Sequence, residues 1–205
     1  MNATEDQLKA LGEMRDLMNR SSRFLSLSGL SGICAGVFAL IGAAAAWKYL
    51  YFIDDDLYGS VTPTRFYTFF FADAGLVLIF SLLAGWYFSN RRAKKAGVPL
   101  FDHTAVRLLV NLFIPLAAGG LFCLALLYYN VIGLIAPATL IFYGLALLNA
   151  SKYTVNDIRY LGIFQIILGL AATMFIWHGL IFWAIGFGVM HIVYGIVLYY
   201  KYERA

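Results

Sequence analysis

A chain of 205 residues that is 62% hydrophobic and only 13% charged, against roughly 25% charged in soluble domains, groups with membrane proteins before any motif is read. Its net charge of +4 does not mark a nucleic-acid binder, because Lys and Arg gather beside apolar runs, where they set topology and meet anionic lipid. Two cysteines, Cys34 and Cys123, fall in different apolar runs, which excludes a disulfide framework.

Residues 1–24 read as a cytoplasmic amphipathic helix. Leu8, Leu11, Met14 or Arg15, and Leu17 or Met18 recur at helical spacing, and Thr4 with Gln7 has the form of a capping box. Such a helix lies in the membrane interface; a docking surface for a cytoplasmic partner is the sharper alternative. Eight charged residues up to Arg23 leave no apolar core for a cleavable signal peptide, so the first span is expected to direct insertion.

Residues 25–205 form a six-helix transmembrane domain. The strongest signal is Leu108 to Ser151, 44 residues without Lys, Arg, Asp, Glu or His, followed by 41 residues from Tyr160 to Tyr200 without Lys, Arg, Asp or Glu. Each is about twice the roughly 20 residues that cross a bilayer core. The expected spans are Leu25–Trp47, Phe66–Phe88, Leu108–Leu127, Val131–Asn149, Ile158–Ile176 and Leu180–Tyr200. Tight turns at Tyr128-Tyr129-Asn130 and Trp177-His178-Gly179 split the two long runs into hairpins. With the N-terminus in the cytoplasm, 13 Lys and Arg lie inside against Lys48 and Arg65 outside, so both termini are expected to be cytoplasmic. The opposite side is acidic, with Asp54-Asp55-Asp56 in its long loop.

The first span places Ser28, Gly32 and Gly36 at four-residue intervals, with Ala35, Ala39 and Ala43 on an adjacent stripe. Small residues so spaced let helices approach closely in lipid. Two readings stand: packing inside one bundle, or a homo-oligomer seam through the first span. Gly119-Gly120, Gly162, Gly169, Gly186, Gly188 and Gly195 extend the pattern.

Asp73 in the second span is the acid inside a span, about 10 Å below the outer boundary at 1.5 Å per residue. It is expected to face the bundle interior or a water-filled cavity, as a proton- or cation-binding residue or as a structural acid near the rim. Pro115 and Pro137 interrupt spans three and four, a feature shared by transporter sites and by ordinary membrane helices. Asn111 is expected to bond a neighbouring backbone. Thr154 with Asp157 forms a capping signal for span five.

His191 lies about 16 Å into span six, and Gln165 and Tyr143 reach a similar depth. Together they would line a polar cavity, or serve as hydrogen-bonded packing. His103, His178 and His191 fall at three depths, and no short-spaced pair of ligands occurs, so no metal and no cofactor is expected.

The stretch Ser26-Leu27-Ser28-Gly29-Leu30-Ser31-Gly32, with Gly186-Phe187-Gly188-Val189-Met190-His191, resembles an uncharacterised six-span membrane protein family of bacteria. The resemblance covers most of the chain. It implies a bacterial inner-membrane location and carries no activity and no functional residue.

Three functions follow in order. The first is a non-enzymatic membrane protein that senses a ligand or assembles with a partner, its ligand a small molecule or ion. The second is a small secondary transporter or channel, proton-coupled, using Asp73 and the His191/Gln165/Tyr143 layer. A membrane enzyme comes last, because the spans lack convergent acid/base or metal groups.

Overall fold

A computed structural model describes residues 28–56, 63–97 and 99–204, all of them helix or short connection. Among these are six helices long and apolar enough to cross a membrane. The protein is an all-α, membrane-embedded bundle. The amphipathic helix expected over residues 1–24, with Thr4 and Gln7, lies outside the described residues.

Helix α1 is Gly29–Asp56, α2 Pro63–Lys95, α3 His103–Tyr128, α4 Ile135–Ala150 and α5 Asp157–Met174. The sixth span is composite. A 3-10 turn at Ile176–His178 leads into α6 (Gly179–Trp183), a π-helical stretch over Ala184–Met190 and α7 (His191–Tyr202). Helices extend beyond the apolar runs. The 33 residues of α2 measure about 50 Å, more than the ~30 Å hydrocarbon core, because helical hydrogen bonding continues where hydropathy ends. Likewise α1 carries Asp54-Asp55-Asp56 in its last turn rather than in a loop.

The hairpin turn between α3 and α4 is built on Asn130, whose φ of 57° is left-handed, a region that Asn tolerates better than most residues. Its N–H bonds the Leu127 carbonyl at 3.0 Å, and the Val131 N–H bonds Leu126 at 2.8 Å, the paired bonds of a Schellman C-cap. The second hairpin breaks earlier than expected. Helix α5 ends at Met174, and Phe175 (φ −123°, ψ 60°) leaves helical geometry.

Laterally, α2 packs on α1, α1 on the sixth span, the sixth span on α4 and α5, and α3 on α4. The last span in sequence is therefore central in space. Helices α2 and α3 are peripheral: none of the most apolar stretch of α2 is buried and only 6% of that of α3, against 39% for α1. Lipid tails are as apolar as Leu, so burial alone does not hold such helices together. Close approach does. A Cβ built on Gly36 would lie 2.6 Å from the Gly188 carbonyl oxygen, and one on Gly195 would lie 2.7 Å from that of Gly29. The Ser28/Gly32/Gly36 face is thus filled by the sixth span of the same chain. Gly144 and Gly162 do the same for α4 and α5, each facing the other's carbonyl at 2.6 to 2.8 Å.

Polar bonds tie the ends that bear the termini. The Glu203 carboxylate accepts from the Ser28 hydroxyl (3.2 Å) and the Gly29 N–H at the start of α1, and Arg92 of α2 approaches it at 3.6 Å. An anion there complements the helix N-terminus. Asp157 was expected to pair with Thr154 in a capping box. It turns instead to Lys201 (2.9 Å) and the Tyr202 hydroxyl (2.8 Å), while the cap position of α5 falls on Asn156, whose side chain does not cap the helix.

The two span prolines differ. Pro137 is the third residue of α4, where helical N–H groups lack partners anyway, so it interrupts nothing. Pro115 lies inside α3 and deprives the Asn111 carbonyl of its i+4 donor. Asn149 of α4 supplies the replacement, its Nδ2 donating to that carbonyl at 2.9 Å. The Asn111 side chain bonds Arg107 of its own helix at 2.8 Å. Asn149→Ala is expected to cost about 1 kcal/mol in the wild type and close to nothing in a Pro115→Ala background, where α3 satisfies its own carbonyl. Denaturant titration in micelles measures both; equal costs would refute the compensation.

Candidate functional site: a closed polar network and a separate acidic groove

Tyr143 on α4, Gln165 on α5 and His191 at the start of α7 are brought together, as their common depth suggests; Gln165 and His191 meet at a backbone atom, and Tyr143 joins through His191. The Gly186 carbonyl, inside the π-helical stretch, accepts from Gln165 Nε2 at 2.8 Å and from His191 Nδ1 at 3.0 Å. A carbonyl only accepts, so Nδ1 carries hydrogen. In the neutral ring Nε2 is then an acceptor, and the Tyr143 hydroxyl, 2.8 Å away, donates to it. Phe187 packs over the ring with its centroid 5.9 Å distant.

This is not the polar cavity that the sequence suggested as one reading. Gln165 is fully buried, His191 is 8% exposed, and both ring nitrogens are bonded. The expected layer is a closed hydrogen-bonded joint between three spans. Gln165 Oε1 is the one buried side-chain oxygen without a partner among the described residues; it lies against Gly186, where a Cβ would approach it to 2.5 Å. Sequence reasoning placed Gly186 among the small packing residues and missed its carbonyl as the hub, because the hub is main chain. The closely spaced Gly186 and Gly188 just before His191 were the only visible trace of a span that departs from α-helical geometry.

Asp73 stands apart. It projects from α2 against Gly42 of α1, and a Cβ on Gly42 would lie 3.3 Å from both carboxylate oxygens. Without that side chain, the carboxylate rests on the α1 backbone. Around it is a groove of about 240 Å³ lined by Phe38, Ile41, Gly42, Leu76, Val77 and Phe80. Ile41, Leu76 and Phe80 are half exposed, so the groove opens sideways from the bundle. Asp73 takes no hydrogen bond or ion pair from any described residue. None of the lining residues belongs to α4, α5 or the sixth span, so Asp73 and His191 do not share this space.

Among the described residues no three His, Cys, Asp or Glu side chains gather as metal ligands, and Cys34 and Cys123 are unpaired. Among the described residues, fold and site together define a six-span membrane protein with a buried polar joint at its centre and an open acidic groove at its edge. No family model, curated protein or solved structure matches the chain.

Proposed function

We propose that this chain is a non-enzymatic integral membrane protein that senses a small ligand, admitted from the lipid phase into the groove beside Asp73. The observation that carries this reading is the separation of its polar groups. A transporter or channel using Asp73 with the His191 layer needs them along one path. Instead Tyr143 and His191 bond one another, and His191 and Gln165 Nε2 both donate to the Gly186 carbonyl, while Asp73 lies in a groove walled by α1 and α2.

Catalysis would require a second titratable group beside Asp73, and the lining is otherwise apolar. The proposed location is a bacterial inner membrane with both termini cytoplasmic, supported by the excess of Lys and Arg on the terminus-bearing side. Assembly of copies is the accompanying proposal. Because the glycine face of α1 is occupied by the sixth span, a homo-oligomer would use the peripheral faces of α2 and α3.

In proteoliposomes under an imposed pH gradient, wild type and Asp73→Asn are both expected to show proton flux no higher than protein-free vesicles. Flux that Asp73→Asn removes would replace this reading with the transporter.

A further inference from the structure

Resting on the ligand-sensing reading, we propose that the groove beside Asp73 binds a lipophilic amine, its ammonium group on the Asp73 carboxylate and its apolar body between Phe38 and Phe80.

Three properties of the groove select this chemistry. Its volume of about 240 Å³ lies below the roughly 300–1,000 Å³ of drug-sized sites, so the ligand is small. Its lining is apolar apart from one carboxylate, and that carboxylate takes no partner from the described residues. A neutral hydrocarbon would fill the space and leave Asp73 desolvated and unpaired, at a cost of several kcal/mol for an ionised group. A fatty acid would set two carboxylates together, which repel. A bare metal ion needs six or more oxygen ligands if it is Ca²⁺ or Mg²⁺, and this groove offers two oxygens on one side chain. An alkylammonium answers both features: its N–H groups donate to the carboxylate in charge-assisted bonds, and its chain meets the aromatic and aliphatic walls.

The placement also selects a freely diffusing molecule over a phospholipid amine. Asp73 is seven residues past Phe66, about 10 Å inside the apolar boundary, whereas a head group stays at the interface. Entry is lateral, past the half-exposed Ile41, Leu76 and Phe80. Gly42 is integral to the site, because its missing side chain leaves the carboxylate open against α1.

The test is photolabelling of the reconstituted protein with n-octylamine carrying a diazirine near its methyl end, beside the matching alcohol. The amine is expected to label the segments around Phe38 and Phe80. Asp73→Asn should lower that labelling at least tenfold, Asp73→Glu should retain most of it, and the alcohol should label less than a tenth as well. Leu76→Trp, which fills the groove from a half-exposed position and keeps the Asp73 carboxylate, should also abolish labelling; it keeps the test decisive if Asp73→Asn fails to fold. Amine labelling that survives Asp73→Asn, or equal labelling by the alcohol, would overturn the amine assignment while leaving a ligand groove standing. Absence of groove labelling by either probe would overturn both.

Discussion

Gly36→Leu is expected to separate α1 from the sixth span and to destabilise the protein by about 3 kcal/mol or more, at the upper end of overpacking costs. The reason is what the new side chain meets. A Cβ at Gly36 already lies 2.6 Å from the Gly188 carbonyl oxygen and 2.9 Å from the Ile192 nitrogen. Both are main-chain atoms of a packed helix and cannot rotate aside as a flexible side chain does. The helices must move apart, and the loss spreads along the seam through Gly32, Gly195 and Gly29. Gly75→Leu on α2 is the internal control: nothing lies within 4 Å of its Cβ position, so the change should stay within roughly 0.5 kcal/mol. Unfolding of both variants by SDS titration from mild micelles, followed by circular dichroism, gives the comparison. Equal stabilities would remove the α1 seam from the account.

The second large effect lies at the polar joint. His191→Phe keeps a ring between Tyr143 and Phe187 but removes two hydrogen bonds, leaving the buried Tyr143 hydroxyl without its acceptor. A cost of about 2 kcal/mol is expected. Tyr143→Phe removes one bond and leaves Nε2 unpaired, for about 1 kcal/mol. The double variant should cost about as much as His191→Phe alone, because the second substitution removes the group that the first left stranded. The Gly186 carbonyl keeps Gln165 throughout, so the π-helical stretch should survive. Strict additivity of the two losses would show that the hydroxyl and the imidazole do not depend on one another.

Much of the architecture could be read in advance because lipid imposes a simple rule. Backbone polar groups must be satisfied within each segment, so a long uncharged run is a helix. Asp73, Tyr143, Gln165 and His191 stood out for the same reason, as polar groups where polarity is costly. Depth arithmetic grouped the last three correctly, since rise per residue is nearly constant along a helix. It could not exclude Asp73 from the group, because depth says nothing of the lateral order of helices. That order, with the sixth span between α1 and the α4–α5 pair, depends on which glycine faces fit one another.

The backbone hubs were likewise hidden. Pro115 marks the carbonyl it releases at Asn111 but not the donor that meets it, and the Gly186 carbonyl in its π turn has no side-chain signature; the donors Asn149 and Gln165 come from other helices. Glu203 at the start of α1 is a partner drawn from the far end of the chain.

By itself, then, the amino-acid sequence determined the membrane solvent, the number of spans, the common side of their ends and the short list of polar residues. Those follow from transfer free energies and helix geometry, which act segment by segment. The tertiary structure alone decided that His191 belongs to a sealed joint and Asp73 to an open groove, and that the first span's glycines face the last span. Those outcomes rest on van der Waals contact between surfaces distant in sequence, which no local periodicity encodes.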